Sequence, residues 1–125
     1  MPPLLLIIDD EEDILDLLSY NFGKEGFEVA TFDRADLALK FLEGRRPDAI
    51  LCDWMMPGMD GLEFCRRVKS SVLFADIPFV MVTCRHEKLA EKLAISVGVT
   101  DFIVKPVRVP QLVSRVRTLL GEQAA

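Results

Sequence analysis

Four short apolar runs in the chain each stop on a polar residue, and the residues differ in chemical kind. Leu4-Leu5-Leu6-Ile7-Ile8 ends at Asp9-Asp10, and Ala49-Ile50-Leu51-Cys52 ends at Asp53. Phe79-Val80-Met81-Val82 ends at Thr83, and Phe102-Ile103-Val104 ends at Lys105. If the runs are parallel strands of one sheet, carboxylates, a hydroxyl and an ammonium share the crevice at one edge, where open α/β sheets place their chemistry. Two carboxylates about 4 Å apart repel by roughly 4 kcal/mol at an effective dielectric of 20, so an acidic cluster there calls for a cation. Hard oxygen ligands suit Mg²⁺ or Mn²⁺ better than zinc. Asp53, ending the central run just before a turn, can serve as a ligand or as a nucleophile toward phosphorus, giving an aspartyl phosphate. Lys105 and the Thr83 hydroxyl then suit two of the phosphoryl oxygens, an electrostatic clamp of the kind phosphoryl transfer requires. Taken alone, Asp9-Asp10 reads more readily as the polar start of a helix, and it is Asp53 and Lys105 at matching strand ends that favour the shared crevice.

The pattern that positions these residues alternates strand and helix five times. Ile14, Leu17, Leu18 and Phe22 recur at helical spacing, and Gly23 and Gly26 close the segment. Residues 27–31 alternate as a strand, and Ala35, Ala38, Leu39 and Leu42 form a second helical stripe ended by Gly44 and Pro47. Residues 49–52 are apolar throughout, as a central strand covered on both faces should be. Pro57-Gly58-Met59-Asp60-Gly61 is turn chemistry, followed by a third helix carrying Leu62, Cys65 and Val68. Leu89, Leu93 and Val97 mark a fourth helix, and Leu112, Val116, Leu119 and Leu120 a fifth. Five such units predict an α/β fold with a parallel sheet covered on both sides. The tail from Gly121 to Ala125 is expected to fray.

The 125 residues fit one domain spanning 1–125, and half are hydrophobic, enough for a real core. No apolar run approaches the roughly 18 residues of a membrane span, and no secretory signal is evident. The net charge is −5 and the basic residues are scattered, which argues against direct nucleic-acid binding by this domain. Cys52, Cys65 and Cys84 are odd in number and form no CxxC pair, so free thiols in a reducing, cytoplasmic setting are expected. There is neither a P-loop nor a GxGxxG sequence to bind a nucleotide.

Taken together, Asp9-Asp10, the segment Asp53-Trp54-Met55-Met56-Pro57-Gly58-Met59-Asp60-Gly61, Thr83 and Lys105-Pro106 resemble the receiver domain of two-component response regulators over the whole chain. The resemblance implies a flavodoxin-like, doubly wound (βα)5 fold with strand order 2-1-3-4-5. It implies that Asp53 accepts a phosphoryl group from the phosphohistidine of a sensor histidine kinase or phosphotransfer protein. Asp10, Asp53 and the Met55 carbonyl would bind Mg²⁺, with Asp9 acting through water and Mn²⁺ as an alternative. A cis Lys105-Pro106 bond is also implied. The switch implied is a movement of Thr83 toward the phosphoryl group and an inward turn of Phe102. That movement would remodel the face of the fourth helix, fifth strand and fifth helix for a downstream protein or an attached output domain.

Several positions tune or limit this expectation. Met55 and Arg85 lie two residues beyond Asp53 and Thr83, where the family sets phosphoryl lifetime, and both could shield it from water. Cys84 replaces the family's very small residue and is expected to pack as a small buried hydrophobe. Phe102 lacks the hydroxyl of the commoner tyrosine. Ser96, Val97 and Gln111 stand where dimerising relatives carry charges, leaving Asp101 and Arg115 as a candidate pair, so a monomer or a weak phosphorylation-dependent dimer is expected. His86 reads as a lone surface histidine. The rival readings are a degenerate receiver that only binds proteins and a phosphatase of the haloacid-dehalogenase type. Against the phosphatase, Met55 replaces the second aspartate of its Asp-x-Asp motif, and the chain leaves no room for a substrate cap. The expected role is a signalling switch acting only on its own phosphorylation, not an enzyme with an external substrate.

Overall fold

In the computed structural model, which describes residues 1–121, five strands alternate with five helices. In chain order they are β1 (Leu4–Ile8), α1 (Glu12–Lys24), β2 (Glu28–Phe32), α2 (Ala35–Leu42), β3 (Ala49–Cys52), α3 (Gly61–Lys69), β4 (Phe79–Thr83), α4 (Lys88–Ser96), β5 (Asp101–Val104) and α5 (Val109–Leu119). Of the tail expected to fray, residues 122–125 lie outside the described residues. The strands form one parallel sheet in the order β2-β1-β3-β4-β5, as a flavodoxin-like fold requires.

Strand periodicity divides the interior into two layers. Leu6, Ile8, Ile50, Cys52, Phe79 and Met81 face one side, where they pack with Ala35, Phe64, Val68, Ala90 and Ala94 from α2, α3 and α4. Leu5, Ile7, Ala49, Leu51, Val80 and Val82 face the other, against Leu18 and Phe22 of α1 and Leu112 and Val116 of α5. β1, β3 and β4 are therefore buried at every position, whereas β2 and β5 at the sheet margins are only partly covered. No helix among the described residues is long and apolar enough to cross a membrane.

Three local expectations are corrected. β2 begins one residue later than expected, because Phe27 leaves the strand to pack edge-on against Phe22 with ring centroids 5.1 Å apart. On α1 the buried face uses Leu15, Leu18 and Phe22, and Leu17 is exposed. On α4 the interior face is Ala90 and Ala94, while Leu89 and Leu93 are 78% and 46% exposed and Val97 is the C-cap. Leu89/Leu93 and Ala90/Ala94 share the same four-residue spacing one position apart, so periodicity cannot choose between them. Packing chooses the alanines, whose small side chains let the helix lie close to the sheet.

The junction after β3 is equally tight. Asp60 caps α3, its Oδ1 accepting the Glu63 N–H at 2.9 Å. The Gly61 N–H donates to the Trp54 carbonyl at 2.9 Å, and a Cβ at Gly61 would overlap the Asp53 carbonyl oxygen. Glycine is needed there by close approach, which fixes where β3 ends and how Asp53 is presented.

Candidate functional site

Register alone brings the polar strand ends together. Ile8 pairs with Cys52, so Asp9 and Asp53 leave adjacent strands at the same level, and the Asp53 N–H donates to the Ile8 carbonyl at 2.9 Å. Thr83 pairs with Val104, and the Lys105 N–H donates to the Thr83 carbonyl at 2.8 Å. The Lys105-Pro106 bond is cis.

Lys105 is the hub. Its Nζ donates to Asp9 Oδ2 at 2.8 Å, Glu11 Oε1 at 3.1 Å and Asp53 Oδ2 at 3.2 Å. The side chains of Lys105, Asp9 and Asp53 are each less than a tenth exposed, so these contacts are barely screened by solvent. Burial by itself would lower the Lys105 pKa, but its bonds to Asp9 and Glu11 and the nearby negative charge hold it above the ordinary lysine range. Burial raises the Asp9 carboxyl by more than the Lys105 bond lowers it.

The remaining valences are spoken for locally. Asp9 Oδ1 accepts the Glu11 N–H at 2.9 Å at the entry to α1, whose N-cap Glu11 makes no side-chain cap. Asp53 Oδ1 accepts the Met55 N–H at 3.3 Å. Asp10 is exposed at the mouth of the crevice, in a cleft it shares with Glu12, Thr31 and Asp33. One carboxylate oxygen from each of Asp9, Asp10, Glu11 and Asp53 lies within 4.8 Å of all the others. Hard oxygen donors clustered in this way are of the kind a divalent cation such as Mg²⁺ takes, although three of the four residues, Glu11 among them, are also engaged by Lys105.

Glu11 is the member of the cluster that the sequence reading missed. Its only signal there was its place next to Asp9-Asp10, and nothing in that spacing says its side chain turns back to Lys105. Thr83 is fully buried, and its Oγ1 accepts the Arg85 N–H at 3.3 Å within its own loop. Phe102 is half-buried and meets Trp54 edge-on, with centroids 6.3 Å apart. The Arg85 guanidinium lies 4.5 Å from the centre of the Trp54 ring, and its Nε is 3.6 Å from Glu87. Met55 presents its side chain to solvent.

Cys84 corrects another expectation: it is exposed, not packed. Cys84 lies one residue past the end of β4, in the loop before α4, beyond the part of the strand that is covered on both faces. His86 is exposed as expected, and Arg115 pairs with Asp101.

Comparison with known proteins follows the same outline. The family model for the response regulator receiver domain matches residues 5–117. The chain is 39% identical over 120 residues to the phosphate regulon transcriptional regulatory protein PhoB of Rhizobium meliloti, an alignment covering 96% of this chain and 53% of that protein. It is 34% identical over 116 residues to the alkaline phosphatase synthesis transcriptional regulatory protein PhoP of Bacillus subtilis, covering 93% and 48%. The chain thus spans about half the length of the curated relatives it matches. Among solved structures it resembles a putative response regulator from Chloroflexus aurantiacus, with TM-score 0.92, 31% identity and coverage of 98% of this chain and 100% of that one. It also resembles the chemotaxis response regulator CheY4 of Vibrio cholerae, with TM-score 0.90, 27% identity and coverage of 95% and 99%.

Proposed function

The chain belongs to the response regulator receiver domain family, and we propose that residues 1–125 form a single receiver domain that accepts a phosphoryl group on Asp53. The observation that carries this reading is the buried contact of Lys105 with both Asp9 and Asp53 beside an acidic cluster. The donor is a phosphohistidine of a sensor histidine kinase or phosphotransfer protein. An Asp53 carboxylate oxygen forms the new P–O bond as the P–N bond breaks, and the imidazole leaves. Mg²⁺, or Mn²⁺, held by Asp9, Asp10, Asp53 and the Met55 carbonyl, supplies positive charge against the phosphoryl oxygens when bound. Lys105 stabilises one phosphoryl oxygen, and the Thr83 hydroxyl donates to another.

Phosphorylation adds about −1.5 to −2 charges at Asp53. Thr83 Oγ1 gives up the Arg85 N–H and turns toward the phosphoryl group, and Phe102 rotates into the space that Thr83 leaves. The face of α4, β5 and α5 then changes its fit to a downstream protein or an attached output domain. The two regulators of about 39% and 34% identity are transcriptional regulatory proteins, which supports an output in gene control elsewhere in a longer protein. The domain acts in the cytoplasm as a monomer or weak phosphorylation-dependent dimer. Met55 and Arg85 slow the hydrolysis of the phosphoaspartate, and exposed Cys84 leaves access to the site open.

The test is incubation with Mg²⁺ and acetyl phosphate, followed by intact mass and Trp54 fluorescence. One phosphoryl adduct, absent in Asp53→Asn, is expected; no adduct on the unaltered chain overturns the reading in favour of a protein-binding module. Replacing Met55 and Arg85 together by small polar residues should shorten the adduct's lifetime, and an unchanged decay rate removes their role.

A further inference from the structure

An ammonium group has three hydrogens to donate, and in Lys105 all three have carboxylate acceptors within 3.2 Å: Asp9, Glu11 and Asp53. No donor is left for a phosphoryl oxygen until one of these contacts opens. Asp9 is the hardest to release, because it is buried and its other oxygen is held by the Glu11 N–H. Asp53 is itself the residue that takes the phosphoryl group on the reading above. Glu11 differs from both: its side chain is 58% exposed, against 4% for Asp9 and 7% for Asp53. An exposed ion pair contributes little and is readily replaced by water.

We propose, resting on that reading, that Glu11 is a positioning residue acting through Lys105: it holds the third donor of the lysine in the unphosphorylated protein and surrenders it to a phosphoryl oxygen. The incoming group favours the exchange twice. It offers Lys105 a more highly charged acceptor, and its negative charge repels the Glu11 carboxylate. Glu11 thus sets part of the threshold for activation, and it does so by contact with Lys105, not by holding the metal. The role needs a side chain long enough to return from the start of α1 to Lys105. A carboxylate one methylene shorter keeps the charge and loses the contact.

The experiment uses the full chain at saturating Mg²⁺ and reads Trp54 fluorescence while titrating beryllofluoride as a non-covalent phosphoryl mimic. Glu11→Gln and Glu11→Asp should each lower the half-saturating concentration about two- to fivefold, the range an exposed ion pair allows. Half-saturation by Mg²⁺ alone should change less than about threefold in Glu11→Asp. Both substitutions fall at an exposed position whose side chain makes no cap, so folding is retained. A parent-like beryllofluoride response in Glu11→Asp overturns the contact, even if Glu11→Gln responds, because a charge effect without contact is then sufficient. A tenfold weakening of Mg²⁺ binding in Glu11→Asp also overturns it, by making Glu11 a metal ligand. If the unaltered chain takes neither beryllofluoride nor acetyl phosphate, the receiver reading itself has failed; if it takes both and the variants match it, only the role of Glu11 has.

Discussion

Lys105 holds two buried carboxylates that would otherwise face each other across a sheet edge. Substituting Lys105→Met keeps the bulk and removes the cation, leaving Asp9 and Asp53 uncompensated. Breaking a buried pair in this way costs about 3 kcal/mol, so the urea midpoint of metal-free protein should fall by that equivalent and recover in part with Mg²⁺. An unchanged midpoint would mean that the carboxylates are neutralised in another way. The thiols give a second prediction at this scale. Cys84 is exposed while Cys52 and Cys65 are buried, so a thiol reagent should label Cys84 alone in the folded protein and all three after unfolding. Burial pushes the Cys65 thiol up to about 11 from the ordinary 9.0. A folded pKa above the unfolded one favours the fold fully below about pH 9 and loses that contribution as pH rises toward 11. Stability should therefore fall between those values, and less steeply in Cys65→Ala; equal slopes in the two proteins would remove Cys65 as a cause.

For α4, the face buried against the sheet is made of alanines and the large side chains point away. Ala94→Leu should destabilise by about 1–3 kcal/mol, because it forces methylenes into a filled interior. Leu93→Ser on the exposed face should change stability by less than about 0.5 kcal/mol. Chemical denaturation of the two variants checks the assignment, and the reverse order would restore the leucine stripe as the interior. At the start of α3, a Cβ on Gly61 meets the backbone carbonyl of Asp53, which has no flexible end to move. Gly61→Ala should cost on the order of 2–4 kcal/mol and, on the proposed function, reduce phosphoryl uptake as well, since the same carbonyl belongs to Asp53, the proposed acceptor. Retention of both stability and uptake would show that the junction yields more than its geometry suggests.

For the whole molecule, β1, β3 and β4 are shared by both interior layers, so neither layer can open while the other stays intact. Trp54 belongs to the layer with α2, α3 and α4, and helical signal comes from both sides. Denaturation followed by Trp54 fluorescence and by far-ultraviolet circular dichroism should give coincident transitions. Separate midpoints would mean that the layers unfold independently. The shared sheet also explains how much of the fold was legible in advance. Runs such as residues 4–8 and 49–52 are apolar without alternation because they are covered on both faces, which marks them as central strands from sequence alone. The helix faces were less legible: α4 offers two apolar stripes at the same spacing, and only contact with the sheet distinguishes them.

By itself the sequence determined the order of elements, the parallel sheet, and the placement of Asp9, Asp53, Thr83 and Lys105 at strand ends, because those follow from local patterning and from the way parallel crossovers return every strand in the same direction. Tertiary structure decided what those residues touch. Asp53 and Lys105 are 52 residues apart in sequence, and their contact exists only because β3, β4 and β5 pair side by side in register. The return of Glu11 to Lys105, the outward turn of Cys84 and the stacking of Arg85 on Trp54 depend on side-chain directions at loop and helix entries. No periodicity reports those directions, since each is set by which neighbour fills the space beside it.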